Sequence, residues 1–353
     1  AGASDQDIQK LTIGYGTMET NQGGAYVWNE TAVKDHTETD NDDGTATYTV
    51  TINEGLTFSD GTPITAANYL AQVLAFSTPV AVAAGMPGTT GQSFVGYKEF
   101  NAYTGEETEG ASKVFSGIRL LDEYTFSVTV TVEYASYYFA YTYAAFDPAP
   151  LGLWLGDGVE IKDDGEGCYI AGDFSKEGIE KQLEYARFNA GEDRVSAGPY
   201  NLVAFDKGSL QATLTINPNY AGNFEGQKPS IEKIVVTKTE DATWADALKT
   251  GAFNFYDTVT DGNQINTALD IIAEGGFDYV QFDRAGYGML NFQCDFGPTQ
   301  FEAVRHAVAL LLDRNEFANT FCQGWGGVVN GMYGPGLWQY QEAEEWLEMT
   351  LNP

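Results

Sequence analysis

Side chains able to do chemistry are few in this chain, and they are scattered. His36 and His306 are the only histidines in 353 residues, and neither has a second histidine one helical turn away to complete a zinc pair. Cys168, Cys294 and Cys322 are too few and too dispersed for a metal knuckle. Cys294 follows an apolar strand and Cys322 ends an apolar helix. A disulfide between them in an oxidising compartment and buried free thiols are both open readings. No serine sits in a G-x-S-x-G elbow, and no Walker A sequence occurs. Gly324-Trp325-Gly326-Gly327 follows a helix rather than a strand and lacks a trailing Lys-Ser or Lys-Thr, so it reads as a loop, not a phosphate cradle. Asp42-Asp43-Gly44 fails as a calcium loop. With Gly44 at position six, Thr39 takes position one and Val50 takes position twelve, where a carboxylate is needed. Carboxylates are so abundant that no pair stands out as a glycosidase acid and base. Neither catalytic residues, a metal set nor a cofactor site emerges, and the chain is expected to bind rather than to turn over.

Charge narrows what it binds. Fifty acidic residues face 18 basic ones, for a formal net charge of −32. Such a surface repels nucleic acid phosphates and anionic lipid headgroups, so neither is an expected partner. The charge serves solubility first and leaves room for cationic or neutral ligands. With 43% hydrophobic and 14% aromatic residues, the chain is a folded one of two or three domains rather than an acidic disordered tail. No run approaches the roughly 20 apolar residues needed to span a bilayer, and Ala1 to Gln9 reads as a polar leader without structure.

The elements that would position a site follow from periodicity. Tyr48, Val50 and Ile52 alternate as a half-buried strand after the Asp42-Asp43-Gly44 turn, and Leu56 and Phe58 suggest another. Asp60-Gly61 then turns the chain, Pro63 ends ladder pairing, and Thr65 is an N-cap candidate for a helix through Asn68, Tyr69, Val73 and Leu74. Leu120, Tyr124, Phe126, Val128 and Val130 alternate as one strand. Residues 85–112 read as a long loop that either borders a ligand or covers its subdomain. The aromatic run Tyr137 to Phe146 reads as packing rather than a ligand cage, and Lys162 to Gly172 as a surface insertion. Farther on come Ser196-Ala197-Gly198-Pro199-Tyr200 opening a strand, a Leu214–Ile216 strand entering Asn217-Pro218-Asn219-Tyr220, and a strand through Ile234–Val236. A helix from Asp241 to Leu248 ends at Gly251, and a longer one runs from Phe301 to Phe321.

The nonapeptide Phe58 to Ala66, the Ser196–Tyr200 and Asn217–Tyr220 segments, the Pro229–Gly251 unit and the set Phe301, Val304, Arg305, Ala307, Val308, Asp313 and Arg314 occur in one order. Together they resemble family 5 extracellular solute-binding proteins, the oligopeptide and dipeptide receptors of ABC importers. Asn254 stands where that family has an acidic residue, and His306 departs from its usual residue type. The resemblance implies an α/β fold: a periplasmic-binding-protein-like (type II) lobe carrying an inserted α+β subdomain, with the second lobe incomplete. Residues 1–23 would form the first lobe's N-terminal strand, over Leu11 to Tyr15, and 24–190 the inserted subdomain. Residues 191–284 would return to the first lobe, pairing in one sheet with 1–23. Residues 285–353 would hold the hinge and the start of the second lobe, with Val280 to Asn291 as a hinge strand. It further implies that Tyr15, Gly16, Thr17 and Met18, with Tyr287 and Asn291 from the hinge and Trp325, face the ligand. The expected partners are a peptide or other small solute and the ABC permease subunits in the membrane. The expected location is the cell surface, lipid-anchored, with the periplasm as alternative. Family members are longer, so truncation, self-association through apolar faces of the 301–321 helix and weak peptide binding by these 353 residues alone are also expected. A carbohydrate-binding or adhesin module, using aromatic stacking, is the alternative function.

Overall fold

The computed structural model describes residues 3–181, 194–282, 286–329, 331 and 333–351. The chain separates into two compact units, one of Ala1–Asn21 with Tyr26–Lys238, the other of Gln22–Ala25 with Thr239–Pro353. The expected return segment, 191–284, is therefore divided between them.

In the first unit, β1 (Met18–Thr20) and β2 (Tyr26–Trp28) form a short antiparallel pair. A four-stranded antiparallel sheet follows, built from β3 (Val33–Asp40), β4 (Ala46–Ile52), β5 (Ile118–Leu120) and β6 (Thr125–Val130) in the order β3-β4-β6-β5. Alternation in β4 works as its sequence demands: Ala46, Tyr48, Val50 and Ile52 are buried and the residues between them are half-exposed. Gly44, at φ +85°, turns β3 into β4. The helix Ala66–Ala75 buries Tyr69, Leu70, Val73 and Leu74 in the core that this sheet shares. Its start is fastened by Asn68, whose Oδ1 accepts the Thr65 N–H at 2.8 Å while its Nδ2 donates to the Ala149 carbonyl at 3.0 Å. Leu56 and Phe58 do not extend into a strand. They flank the Asp60-Gly61 turn, with Phe58 N–H donating to Thr62 O and Ile64 N–H to Leu56 O.

Three stretches differ from the sequence reading. The alternating run 120–130 is a β5–β6 hairpin rather than one strand, because residues 121–124 make its turn. The 162–172 stretch is a second hairpin, β7 (Glu160–Asp163) with β8 (Cys168–Ala171). Asp163 ties that hairpin to β5, accepting from Arg119 Nε at 2.8 Å, Arg119 Nη2 at 3.0 Å and Leu120 N–H at 3.0 Å. Residues 85–112 hold a short helix, Tyr97–Ala102, and bury Phe94 and Phe100.

β9 (Tyr200–Asp206), β10 (Gln211–Ile216) and β11 (Lys233–Val236) make a three-stranded antiparallel sheet, order β11-β10-β9. No strand from the described residues of 1–23 joins it. Residues Ala3–Thr12, expected as leader and strand, are a helix whose Ile8 and Leu11 pack on Tyr200, Ala212 and Leu214. Ile8 and Leu11 are three apart, one face of a helix and opposite faces of a strand, and burial decides for the helix.

The second unit carries the helices Trp244–Lys249, Gly262–Glu274, Glu302–Leu311, Arg314–Cys322 and Trp338–Leu351. The single helix expected over 301–321 breaks at Leu312, and Asp313 caps its second half by accepting the Glu316 N–H at 2.9 Å. Residues 280–282 and 286–291 are not strand, so the expected hinge strand is absent among the described residues; Ala285 lies outside them.

Candidate functional site

The segments around Ser59, Ser196–Tyr200 and Asn217–Tyr220 meet in the first unit, and they meet as fasteners. Gly14 and Gly198 let two backbones cross in contact. A Cβ on Gly14 would stand 2.6 Å from Ala197 O, and one on Gly198 would stand 2.5 Å from Thr12 C. Asn217 is buried and donates to the Gly198 carbonyl at 2.9 Å. Asn219 donates to Ser59 O at 3.1 Å, and Ser59 N–H to Ser196 O at 2.8 Å. These side chains are consumed by holding the fold together, so the motifs that identify the fold do not themselves mark where a ligand goes.

The same holds for part of the predicted site. Tyr15, at φ +58°, is fully buried; its hydroxyl accepts the Ala221 N–H at 2.6 Å and donates to Asn219 O at 3.2 Å. Its carbonyl accepts from Tyr69 Oη at 2.8 Å. Thr17 is also fully buried, donating to Ala144 O at 2.7 Å and accepting from Phe146 N–H at 2.9 Å. Met18 is 6% exposed and belongs to the core cluster. Tyr15, Thr17 and Met18 therefore place the chain around a site more than they offer groups to a ligand. Gly16 is different. A Cβ there would meet Asp147 Oδ1 at 2.6 Å and Met18 O at 2.9 Å, so its bare Cα is what admits the Asp147 carboxylate.

Asp147 lines a cavity of about 350 Å³ contained within the first unit. Tyr69, Phe94, Tyr134, Tyr143 and Phe146 supply aromatic walls, and Gln72, Ser93 and Thr142 supply neutral polar groups. The rings are braced against one another: Phe94 and Phe146 stack with centroids 6.1 Å apart, and Tyr134 meets Tyr143 edge-on at 5.7 Å. Asp147 opens toward solvent on the cavity side, yet the protein packed around it raises its carboxyl above the ordinary carboxylate value. Burial likewise raises the neighbouring Glu19, although the Phe224 N–H it accepts lowers it, and the Asp147 charge adds to the rise. A concave, mostly aromatic pocket with a few convergent polar groups is the usual form of a small-molecule site.

Sequence reasoning came close to this cavity and passed it. Of the 137–146 aromatic run, Phe139 is buried, Tyr137 and Tyr138 are exposed, and Tyr143 and Phe146 line the cavity, while the 85–112 stretch contributes Phe94 and Ser93. Asp147 itself carries no local signal; it gains meaning only from Gly16, which is remote in sequence. Many other aromatics are core: Tyr48, Phe58, Phe115 and Phe126 are at most 1% exposed, which takes them away from any stacking platform. In the second unit, Trp325 donates its indole N–H to Asn266 Oδ1 at 3.0 Å, Tyr287 is half-buried and Asn291 is exposed. Among the described residues no cluster of three metal-ligating side chains occurs, and no helix is long and apolar enough to cross a membrane.

Comparison with known proteins places this architecture. Residues 32–353 match the model of bacterial extracellular solute-binding proteins, family 5 Middle, and the chain belongs to that family. Solved structures agree on the fold, which is periplasmic-binding-protein-like. The oligopeptide-binding protein AppA from Bacillus subtilis, in complex with a nonapeptide, is 16% identical with a TM-score of 0.64, over 99% of this chain and 60% of that one. Haemophilus influenzae OppA, in complex with RPPGFSPFR, is 18% identical with a TM-score of 0.57, over 92% and 55%. NikA from Brucella suis, in complex with Fe(III)-EDTA, is 14% identical with a TM-score of 0.55, over 97% and 59%. The chain thus spans 55–60% of the length of these three structures. No curated protein gives a significant match.

Proposed function

We propose that this chain is the solute-capturing component of an ABC importer, holding a peptide or a related small solute and passing it to permease subunits in the membrane. The observation that carries the reading is the first unit's cavity: five aromatic side chains, neutral polar groups and one carboxylate, in a member of a solute-binding family. Gly16 takes part by giving Asp147 its place, while Tyr15, Thr17 and Met18 hold the loop that carries it. Tyr287, Asn291 and Trp325 remain proposed ligand-facing positions of the second unit. Family 5 proteins act outside the cytoplasm, and we extend to this chain both that location and retention at the cell surface by a lipid anchor, which membrane fractionation of the native protein tests.

Binding without turnover is the distinguishing property. A thermal-shift panel of peptides, sugars and metal chelates on the natural full-length protein tests it. A ligand at 100 times its Kd stabilises by about 2.7 kcal/mol, a shift of several degrees. One class of solute is expected to produce that shift and to be recovered chemically unchanged. Stabilisation by sugars alone would favour the carbohydrate module, and conversion of any bound solute would favour an enzyme.

A further inference from the structure

We propose that the first unit's cavity selects solutes bearing a cationic group, an amine or a guanidinium, which docks against the Asp147 carboxylate within the aromatic walls. The inference deepens the solute-binding reading above and rests on it.

Three features of the cavity point the same way. First, Asp147 makes no hydrogen bond or ion pair with any described residue, although its carboxylate is wedged against Gly16. Asp147 opens toward solvent on the cavity side, so its carboxylate has no protein partner among the described residues and is accessible to a charged group that enters the cavity. Second, among the described residues no lysine or arginine lines the cavity. Its other polar groups are neutral, so no described lining residue competes for the carboxylate. Third, the half-buried rings of Tyr134, Tyr143 and Phe146 line the cavity with that charge, and ring faces attract cations through their quadrupoles. Glu19 adds a second acidic group close enough to feel the Asp147 charge, so the local field is negative as well as the global one. An anionic ligand group would be repelled by that carboxylate, with no described cation in the lining to offset it. A neutral group would gain no charge pairing there.

The raised Asp147 carboxyl is consistent with this geometry: the ionised form is disfavoured while the cavity is empty, and an arriving cation relieves the penalty.

The test uses the natural full-length protein and two sets of probes. One is a peptide pool in which a single position is arginine or lysine, matched against pools carrying citrulline or norleucine there. The other is a pair of non-peptide solutes, argininamide and citrullinamide. Retention is read by mass spectrometry after equilibrium dialysis. The wild type is expected to retain the cationic member of each matched pair at least about ten-fold better, and Asp147→Asn to bring that ratio close to one, with Asp147→Glu restoring part of it. Asp147→Asn is nearly isosteric and removes a disfavoured charge, so it is expected to melt no lower than the wild type, which separates lost selectivity from lost folding. Peptide binding without a cationic preference, or a preference that survives Asp147→Asn, would overturn the inference and leave the peptide-receptor reading standing. Selective retention of argininamide with no peptide retained would support the inference and overturn peptides as the cargo. No retention in either set would overturn both.

Discussion

Gly16→Ala probes the contact on which the site depends. Gly16 does not have a left-handed φ, so alanine is conformationally acceptable there, and by limiting the unfolded chain it would favour folding by about 0.4–1 kcal/mol. Sterics oppose this. The new Cβ would lie 2.6 Å from Asp147 Oδ1 and 2.9 Å from Met18 O, well inside van der Waals contact. Asp147 can yield by rotating its side chain into the cavity, but Met18 O is backbone fixed in the β1–β2 pair. Overpacking of this kind costs about 1–3 kcal/mol, leaving a net loss of roughly 0.5–2 kcal/mol. For a unit of this size each kcal/mol moves Tm by about 2–4 °C, so calorimetry should record a drop of several degrees. The double variant Gly16→Ala/Asp147→Ala relieves the side-chain clash but not the backbone one. Its loss should fall short of the sum of the single losses by more than about 0.5 kcal/mol. An unchanged Tm for Gly16→Ala, or strict additivity, would refute the proposed packing of Asp147 on Gly16.

Burial alone would raise the Asp163 carboxyl, but hydrogen bonds from Arg119, Gly165 and Leu120 and the Arg119 charge outweigh it and hold it below the ordinary value. The unfolded carboxyl therefore takes up its proton first as pH falls, so the contribution is complete at neutral pH and disappears as pH drops through the lowered folded value. Asp163→Asn should destabilise by about 1–3 kcal/mol at pH 7, and the gap to the wild type should start to narrow below about pH 4 and close only below the lowered folded value. Cys168 is buried, and burial raises its thiol pKa; in native protein it should resist a thiol reagent that labels the exposed Cys294 at once. Val280, Leu310 and Leu311 are 85%, 88% and 86% exposed, so the 353-residue chain should self-associate. Sedimentation should detect this, and Leu310→Glu with Leu311→Glu should reduce it.

What could be read from sequence was local. Asp60-Gly61, Thr65 and the Tyr48–Val50–Ile52 alternation act over a few residues; the turn and strand formed as their chemistry requires, and the helix starts at Thr65, where the Asn68 side chain does the fastening. The errors came where distant packing decides. Ile8 and Leu11 offer too thin an apolar stripe to announce a helix, and only the sheet they cover reveals one. Asp313 is a capping residue within an otherwise continuous helical pattern, and its N-cap bond shows that the local signal prevailed. Asp147 was out of reach because a lone aspartate before a proline means nothing until Gly16 is folded against it.

Calorimetric titration of the natural full-length protein, with the solute that stays bound through native purification, tests the central claim most directly. One solute per protein should bind and be recovered chemically unchanged, and Tyr143→Ala and Phe146→Ala should each weaken binding by about ten-fold or more. Equal affinity in wild type and both cavity variants would show that the cargo binds elsewhere, and recovery of a reaction product would show that the protein is not a carrier.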